Sequence, residues 1–245
     1  MTAAIPATGD DLARDTSAAL EPVFARLELL AERIRATHRP GAWSESDLME
    51  AQSSILEQLT ADPMQVGIGF VSAPGLVDGL DRYMLWWQQH DGRTSRLRLN
   101  FDRTSIDVYD YVEMEWFEFP AGGRTRATYG PYVDYSGSEL YIVTVSVPVT
   151  IDGEFVGIVG ADVLFEEVER RILAVLRHSA REAVVVTADR RVVAANSGRW
   201  VQGSRLPAIP ADGSAVEGGT VLSSAELPLG NGWVLILTDV PRNGI

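Results

Sequence analysis

The sequence predicts an α+β protein in which helices precede two antiparallel sheets. Amphipathic helical spacing dominates residues 1–62, and β-branched runs with tight-turn signals then occur on both sides of a helix predicted over residues 166–181. Strands and helices do not alternate, so a parallel nucleotide-binding sheet is not expected. We therefore predict a helical spine (1–62), a first sheet module (63–181) and a smaller second sheet module (182–245).

The helical spine contains two predicted helices. Apolar residues recur at helical spacing within segment 12–37, where Pro22 marks a helix start or a kink. Gly41 interrupts the pattern, and Ser44–Asp47 has the composition of a capping box that opens a second helix through about Leu59.

The first module contains the clearest strand signals. Three strands are predicted over residues 66–71, 83–88 and 96–100, and the pair Asp91-Gly92 gives a tight turn between the last two. The strongest hairpin joins residues 140–150 to residues 154–163 through Asp152-Gly153. Segment 107–135 is predicted as an aromatic-rich loop.

The second module has the same antiparallel texture on a smaller scale. Its strands are predicted over residues 183–187, 192–196, 221–227 and 233–240, and a Gly/Pro/Ser-rich loop covers residues 203–219.

Composition excludes several classes of function. The 245 residues contain no cysteine and three scattered histidines, so no disulfide, thiol nucleophile, local metal motif or cofactor is expected. A net charge of −13 disfavours binding to nucleic acid. The N-terminus lacks a leader pattern and no window reaches the ~20 apolar residues of a membrane span, so we expect a cytoplasmic protein without membrane insertion.

Aromatic and acidic residues are unusually dense between Tyr109 and Asp134. Aromatic faces attract ammonium groups, and a neighbouring carboxylate supplies the countercharge. This cluster therefore predicts a pocket for a cationic ligand. The alternative is a set of aromatic residues that pack over the sheet while the acids face solvent.

The order of motifs in this region resembles the ligand-binding module of double-Cache domains, which are tandem PAS-like sensors. The matching elements are Tyr109, Trp116-Phe117, Gly130–Asp134, Thr144–Val149 and Asp152–Asp162. The resemblance covers about residues 67–176, and the hairpin at 183–196 is similar to the start of the family's second module. It implies a long N-terminal helix followed by two PAS-like antiparallel modules.

The resemblance is closest to the branch that senses amino acids and amines, and it implies a set of site residues. These are Tyr109, Trp116, Phe117, Tyr132, Asp134 and Asp162. The Arg that binds the carboxylate of an amino acid in this branch would fall at Met114, and methionine cannot hold a carboxylate. We therefore expect a biogenic, methylated or quaternary amine as the ligand.

In two pairs of residues close in sequence, one member is expected to face the pocket and the other to face away from it. Only one residue of Glu113/Glu115 faces the pocket if that segment is extended, and the same alternation applies to Trp86/Trp87. The candidate site includes Glu115 and Trp87.

Alternatives to amine sensing follow from the same residues. An amino acid would be the ligand if another arginine supplied the missing cation, and the candidates are Arg82, Arg96, Arg98 and Arg103. Acid–base catalysis at Asp134, Asp162 or Glu115 is a second hypothesis, and a scaffold with an empty pocket is a third. The catalytic motifs of hydrolases, P-loop enzymes and zinc proteases are absent, so we expect a binding protein and not an enzyme.

We expect neither a membrane anchor nor an output domain. We therefore expect the binding signal to leave through a protein partner, such as a transcription regulator or transporter, or through a change of assembly. The N-terminal helix supports a homodimer or packs against its own sheet.

Overall fold

The computed structural model of the protein describes residues 8–39, 43–90 and 92–242. The predicted interruption at Gly41 and the turn residue Asp91 lie outside them. The described residues form two compact units. One runs from Pro22 to Phe165, and the other combines the residues up to Glu21 with those from Glu166 onward.

The N-terminal segment forms four α-helices. They are α1 (Gly9–Ser17), α2 (Glu21–Thr37), α3 (Glu45–Leu48) and α4 (Gln52–Ala61). The single helix predicted over 12–37 is divided, because a 3₁₀ turn at Ala18–Leu20 joins α1 to α2. Pro22 lies in the first turn of α2, where a missing backbone N–H leaves no hydrogen bond unmade. The capping box is confirmed, since Ser44 Oγ accepts from the N–H of Asp47 and the Asp47 carboxylate accepts from the N–H of Ser44.

The first unit contains a six-stranded antiparallel sheet in the order β3-β2-β1-β6-β5-β4. The strands are β1 (Gln65–Ser72), β2 (Met84–His90), β3 (Arg93–Arg96), β4 (Ala127–Val133), β5 (Tyr141–Ile151) and β6 (Glu154–Leu164). The β5–β6 hairpin is confirmed. Asp152 and Gly153 both have positive φ (52° and 85°), as the two central residues of a type I′ turn require.

Two predictions for the first module are wrong in detail. The third strand covers Arg93–Arg96, so residues 97–100 lie beyond its end. Segment 107–135 is not a loop, because it contains a 3₁₀ turn (Tyr111–Glu113), helix α5 (Glu115–Ala121) and β4. Trp116, Phe117 and Pro120 are the buried residues of α5, and their spacing is that of one helix face.

The second unit contains a five-stranded sheet in the order β8-β7-β11-β10-β9. Its strands are β7 (Arg181–Val186), β8 (Val192–Ala195), β9 (Ala215–Val216), β10 (Gly219–Glu226) and β11 (Val234–Pro241). Helix α6 (Phe165–Leu176) precedes this sheet and buries Val168, Ile172 and Leu176. The predicted division into an α+β fold with two antiparallel sheet modules is confirmed.

Helix α1 belongs to the second unit, although it is the first element of the chain. It packs on β10 and β11, and a side chain added at Gly9 would clash with Ser223 of β10. The boundaries of the two compact units therefore differ from the predicted ranges 1–62, 63–181 and 182–245. The difference arises because the N-terminal helices are divided between the two units and do not form a separate spine.

Candidate ligand-binding site

A cavity that is partly open to solvent lies within the first unit. Strands β2, β5 and β6, helix α5 and the segments around residues 97–109 and 132–137 surround it. Its lining residues are Met84, Trp86, Leu97, Leu99, Tyr109, Trp116, Tyr132, Asp134, Ser136, Gly137, Thr144 and Asp162.

Strand register brings the deepest polar groups together. Asp162 of β6 lies opposite Thr144 of β5 on one side and opposite Gly67 of β1 on the other. A Cβ at position 67 would lie 2.7 Å from Trp86 Nε1 and 2.9 Å from Asp162 Oδ2. Glycine in β1 therefore leaves the space in which Trp86 and Asp162 sit side by side.

A chain of hydroxyl groups ends on the Asp162 carboxylate. Thr144 Oγ1 donates to Asp162 Oδ1 at 2.7 Å, and Tyr132 Oη lies 2.8 Å from the same threonine oxygen. Among the described residues, Thr144 is the one hydrogen-bond donor to Asp162. The carboxylate therefore keeps acceptor capacity for a ligand.

The surroundings of Asp162 disfavour its charge. Burial raises the pKa of Asp162 to about 7, the negative charge of Asp134 adds to the rise, and the hydrogen bond from Thr144 opposes it. Burial and the charge of Asp162 also raise the pKa of Tyr109 and of Tyr132, so both phenols stay neutral at physiological pH. Among the described residues that line the cavity, none supplies a positive charge to this buried acid.

Asp134 shapes the second acidic wall. It follows β4 directly, and its Oδ2 accepts hydrogen bonds from the backbone N–H (2.7 Å) and the hydroxyl (3.2 Å) of Ser138. These bonds fold residues 134–138 into a tight loop that places Ser136 and Gly137 on the cavity wall.

Of the described side chains, those that line the cavity include no arginine, lysine or histidine. Two of the arginines considered as substitutes are engaged elsewhere, since Arg82 binds Asp110 at 2.9 Å and Arg96 binds Glu45 at 2.6 Å. Arg103 lies near Asp81, and Arg98 is exposed between two leucines that line the cavity.

Five of the predicted site residues line the cavity together, namely Tyr109, Trp116, Tyr132, Asp134 and Asp162. Phe117 does not, because it is buried in an apolar cluster next to Tyr111 and Phe155. Met114 packs against the same cluster instead of lining the cavity.

Two further predicted residues need correction. Trp86 lines the cavity and Trp87 does not, because neighbouring side chains of β2 point to opposite faces. Glu113 and Glu115 are both exposed, because a 3₁₀ turn and α5 replace the extended segment that we expected.

Several lining residues were not predicted. Thr144 is the central one, and the alternation of β5 with Asp162 as its cross-strand neighbour is the signal that could have indicated it. Leu97 and Leu99 alternate with arginines in the sequence, and that pattern indicated a half-buried segment without indicating a cavity.

Within residues 8–39, 43–90 and 92–242, no cluster of three or more His, Cys, Asp or Glu side chains could hold a metal ion. None of the helices in these ranges is both long enough and apolar enough to cross a membrane.

The two antiparallel sheet modules, with the cavity in the first of them, have the architecture of a double-Cache fold. Residues 54–170 match the family described as the first PDC sensor domain of methyl-accepting chemotaxis protein-like proteins. The match covers slightly less than half of the chain, and the resemblance to double-Cache domains seen in the sequence is confirmed. Comparison with curated proteins gave no match.

Solved structures share the fold over nearly the whole chain. The ligand-binding domain of the Campylobacter jejuni chemoreceptor Tlp3, in complex with 4-methylisoleucine, has a TM-score of 0.63 at 12% identity and covers 94% of this chain and 88% of its own. The amino acid chemoreceptor PctB of Pseudomonas aeruginosa PAO1, in complex with L-Arg, has a TM-score of 0.57 at 17% identity, with coverage of 96% and 92%. The Pseudomonas fluorescens chemoreceptor CtaA, in complex with L-leucine, gives 0.57 at 18% identity, with coverage of 96% and 91%.

Proposed function

We propose that this protein is a non-enzymatic sensor that binds an organic ammonium ion in the cavity of its first module. The observation that carries the proposal is the charge pattern of the cavity. Asp134 and Asp162 are both on its wall, Trp86 and Trp116 supply aromatic surface, and the described lining has no cation. An ammonium group provides the positive charge that this site lacks.

An amino acid is the second candidate ligand. Three structures with this fold are complexes with amino acids according to their descriptions. An amino acid brings a carboxylate as well as an ammonium group, and that carboxylate would enter a cavity that already holds two acids and no arginine among its described lining residues. The carboxylate is therefore repelled, which favours the amine.

The signal would reach a protein partner through a change that ligand binding causes. A transcription regulator or a transporter remains the kind of partner that we propose. The cytoplasmic location stays a prediction, which microscopy of a fluorescently tagged protein in its own host would test.

The test of the proposal is calorimetric titration of the purified protein with matched pairs, such as 3-methylbutylamine and L-leucine. We expect saturable binding of the amine with a stoichiometry of one and weaker or no binding of the amino acid. Asp162→Asn should weaken amine binding by about 1–3 kcal/mol, since a charge-assisted contact is lost. Asp107→Asn, a change at an exposed residue, is the control.

Two results would contradict the proposal. Tighter binding of the amino acid would mean that a cation outside the described lining reaches the carboxylate. Chemical conversion of the amine, detected by mass spectrometry after prolonged incubation, would make the protein an enzyme.

A further inference from the structure

We infer that Thr144 sets which ammonium ions the cavity accepts, so that ions with N–H bonds bind and fully methylated ions are disfavoured. This inference rests on the proposed function and narrows its ligand class. The site residue Thr144 contributes only a short neutral side chain, and its effect is on the direction of the hydrogen bonds around it.

The geometry fixes the direction of the hydroxyl chain when Asp162 is ionised. A threonine hydroxyl has one hydrogen, and at 2.7 Å from Asp162 Oδ1 that hydrogen lies on the bond to the carboxylate. The 2.8 Å contact between Tyr132 and Thr144 must then be made by the tyrosine hydrogen. The hydroxyl hydrogen of Tyr132 therefore points to Thr144, and that of Thr144 points to Asp162. Neither hydrogen points into the cavity.

The consequence is that the hydroxyl groups of Tyr132 and Thr144 accept hydrogen bonds from the cavity and donate none into it. Tyr132 Oη and Asp162 Oδ2 keep lone pairs, while both hydroxyl hydrogens of the chain are used. A primary ammonium ion has three N–H donors and satisfies both acceptors. A trimethylammonium ion has none, and its methyl groups keep the positive nitrogen farther from the carboxylate, so it gains only the attraction to the charge and the rings.

The remainder of the cavity contacts the part of the ligand that lies away from its ammonium group. Met84, Leu97 and Leu99 form an apolar part of the wall, and Trp86 and Trp116 add aromatic surface. A short alkyl or arylalkyl group fits this surface, whereas a second polar group would lose its hydration there. The ligand class is thus a primary or secondary amine with a compact apolar substituent.

The test compares 3-methylbutylamine with its N,N,N-trimethyl derivative, because the two cations share one apolar group. Titrations are made at pH 8, where Asp162 is ionised. We expect the primary amine to bind at least about tenfold more tightly, the scale of one charge-assisted hydrogen bond. Equal or tighter binding of the trimethyl ion to the unchanged protein overturns the inference.

Thr144 is tested by an isosteric pair of variants. Thr144→Val removes the hydroxyl within a β-branched run of β5, and it should lower the affinity ratio of the two cations, because the hydrogen of Tyr132 is then free to turn into the cavity. Thr144→Ser keeps the hydroxyl and should keep the ratio. A ratio that is unchanged in Thr144→Val shows that the hydroxyl chain does not set the preference.

Tyr132→Phe provides an independent variant if Thr144→Val does not fold. It removes one acceptor while the bond from Thr144 to Asp162 remains, so it should weaken binding of the primary amine and leave the trimethyl ion unaffected. Failure of the inference is distinct from failure of the proposed function. Equal binding of the two cations refutes only the inference, whereas binding of L-leucine without binding of either cation refutes both.

Discussion

Asp162 is the residue whose protonation links stability to ligand binding. Its carboxyl group is buried, its pKa is raised from 3.8 to about 7, and the unfolded chain has no such environment. Between these two values the unfolded chain releases the proton while the folded chain retains it. The contribution of Asp162 to the free energy of unfolding therefore decreases as pH rises from about 4 to about 7. Above about pH 7 this contribution is constant.

We predict that Asp162→Asn removes this slope. The difference in free energy of unfolding between Asp162→Asn and the unchanged protein should grow in favour of the variant from pH 4.5 to pH 7.5. Urea denaturation at intervals of one pH unit measures it in the absence of ligand. Asp107→Asn corrects for the other acids, and an equal slope in all three proteins would mean that Asp162 is charged throughout.

The same group predicts the pH dependence of amine binding. The groups that face Asp162 are Asp134, Tyr109, Tyr132 and Thr144, and the two phenols stay neutral because their pKa values are raised. A primary alkylamine is charged below about pH 10. Its affinity should therefore follow the ionisation of Asp162 and rise roughly tenfold or more from pH 5.5 to pH 8.

Calorimetry directly measures the proton that Asp162 releases when the amine binds. Below pH 7 the amine displaces the proton from Asp162, so the apparent enthalpy should vary with the ionisation enthalpy of the buffer. At pH 8.5 this variation should vanish. Affinity that is constant across the range, with no proton release, would place the ammonium group away from Asp162.

At the scale of the elements, the position of a glycine in β1 determines how closely two functional side chains approach. Gly67→Ala would put a methyl group within 3 Å of both Trp86 Nε1 and Asp162 Oδ2. We expect a loss of stability of about 1–3 kcal/mol from overpacking, together with a loss of amine binding, because both groups must shift.

Thermal unfolding and titration of Gly67→Ala separate these two effects. Gly198→Ala is the control, since nothing lies near the added methyl group and it should change neither quantity. Normal amine affinity in a destabilised Gly67→Ala protein would show that Trp86 and Asp162 return to their places when the ligand binds.

Local sequence patterns predicted most of the strands and the β5–β6 hairpin, because period-two alternation and an Asp-Gly turn depend on neighbouring residues only. The choice between Trp86 and Trp87 depended instead on strand register. Trp86 lies opposite Gly69, and a shift of one residue would turn Trp87 to the cavity. No pattern within β2 itself determines that register.

The errors around α5 have a different cause. An extended segment would turn Glu115 toward the site. The segment is instead a short helix that buries Trp116, Phe117 and Pro120 on one face, and Glu115 is exposed. Thr144 was missed since its role arises from a neighbour 18 residues away on the next strand. The acidic and aromatic character of the cavity is predictable from the sequence, whereas its hydrogen-bond directions depend on how the strands pair in the folded protein.

At the scale of the whole molecule, the order of the chain does not follow the order of the units. The chain begins in the second unit with α1, builds the whole first unit from Pro22 to Phe165, and then completes the second unit. An amphipathic pattern shows that a helix buries one face and does not show which sheet covers it. The sequence pattern therefore groups the N-terminal helices into one spine, whereas their packing divides them between the two units at Glu21 and Pro22.

This interleaving predicts that a change in the first helix acts on the last strands. Leu12 is buried on α1, the helix that packs on β10 and β11. Leu12→Ala should destabilise the second unit by about 2–5 kcal/mol, the usual range for a buried leucine. Faster amide hydrogen exchange in β10 and β11, measured by mass spectrometry, is the expected signature.

The amine affinity of the Leu12→Ala protein should stay unchanged, because every residue that lines the cavity belongs to the first unit. Asp15→Ala, a change on the exposed side of the same helix, should alter neither exchange nor binding. Faster exchange in β5 and β6 together with weaker amine binding would mean that the two units unfold as one cooperative structure. Exchange confined to β10 and β11 would instead show that the cavity folds and binds its ligand independently of the segment with which the chain begins.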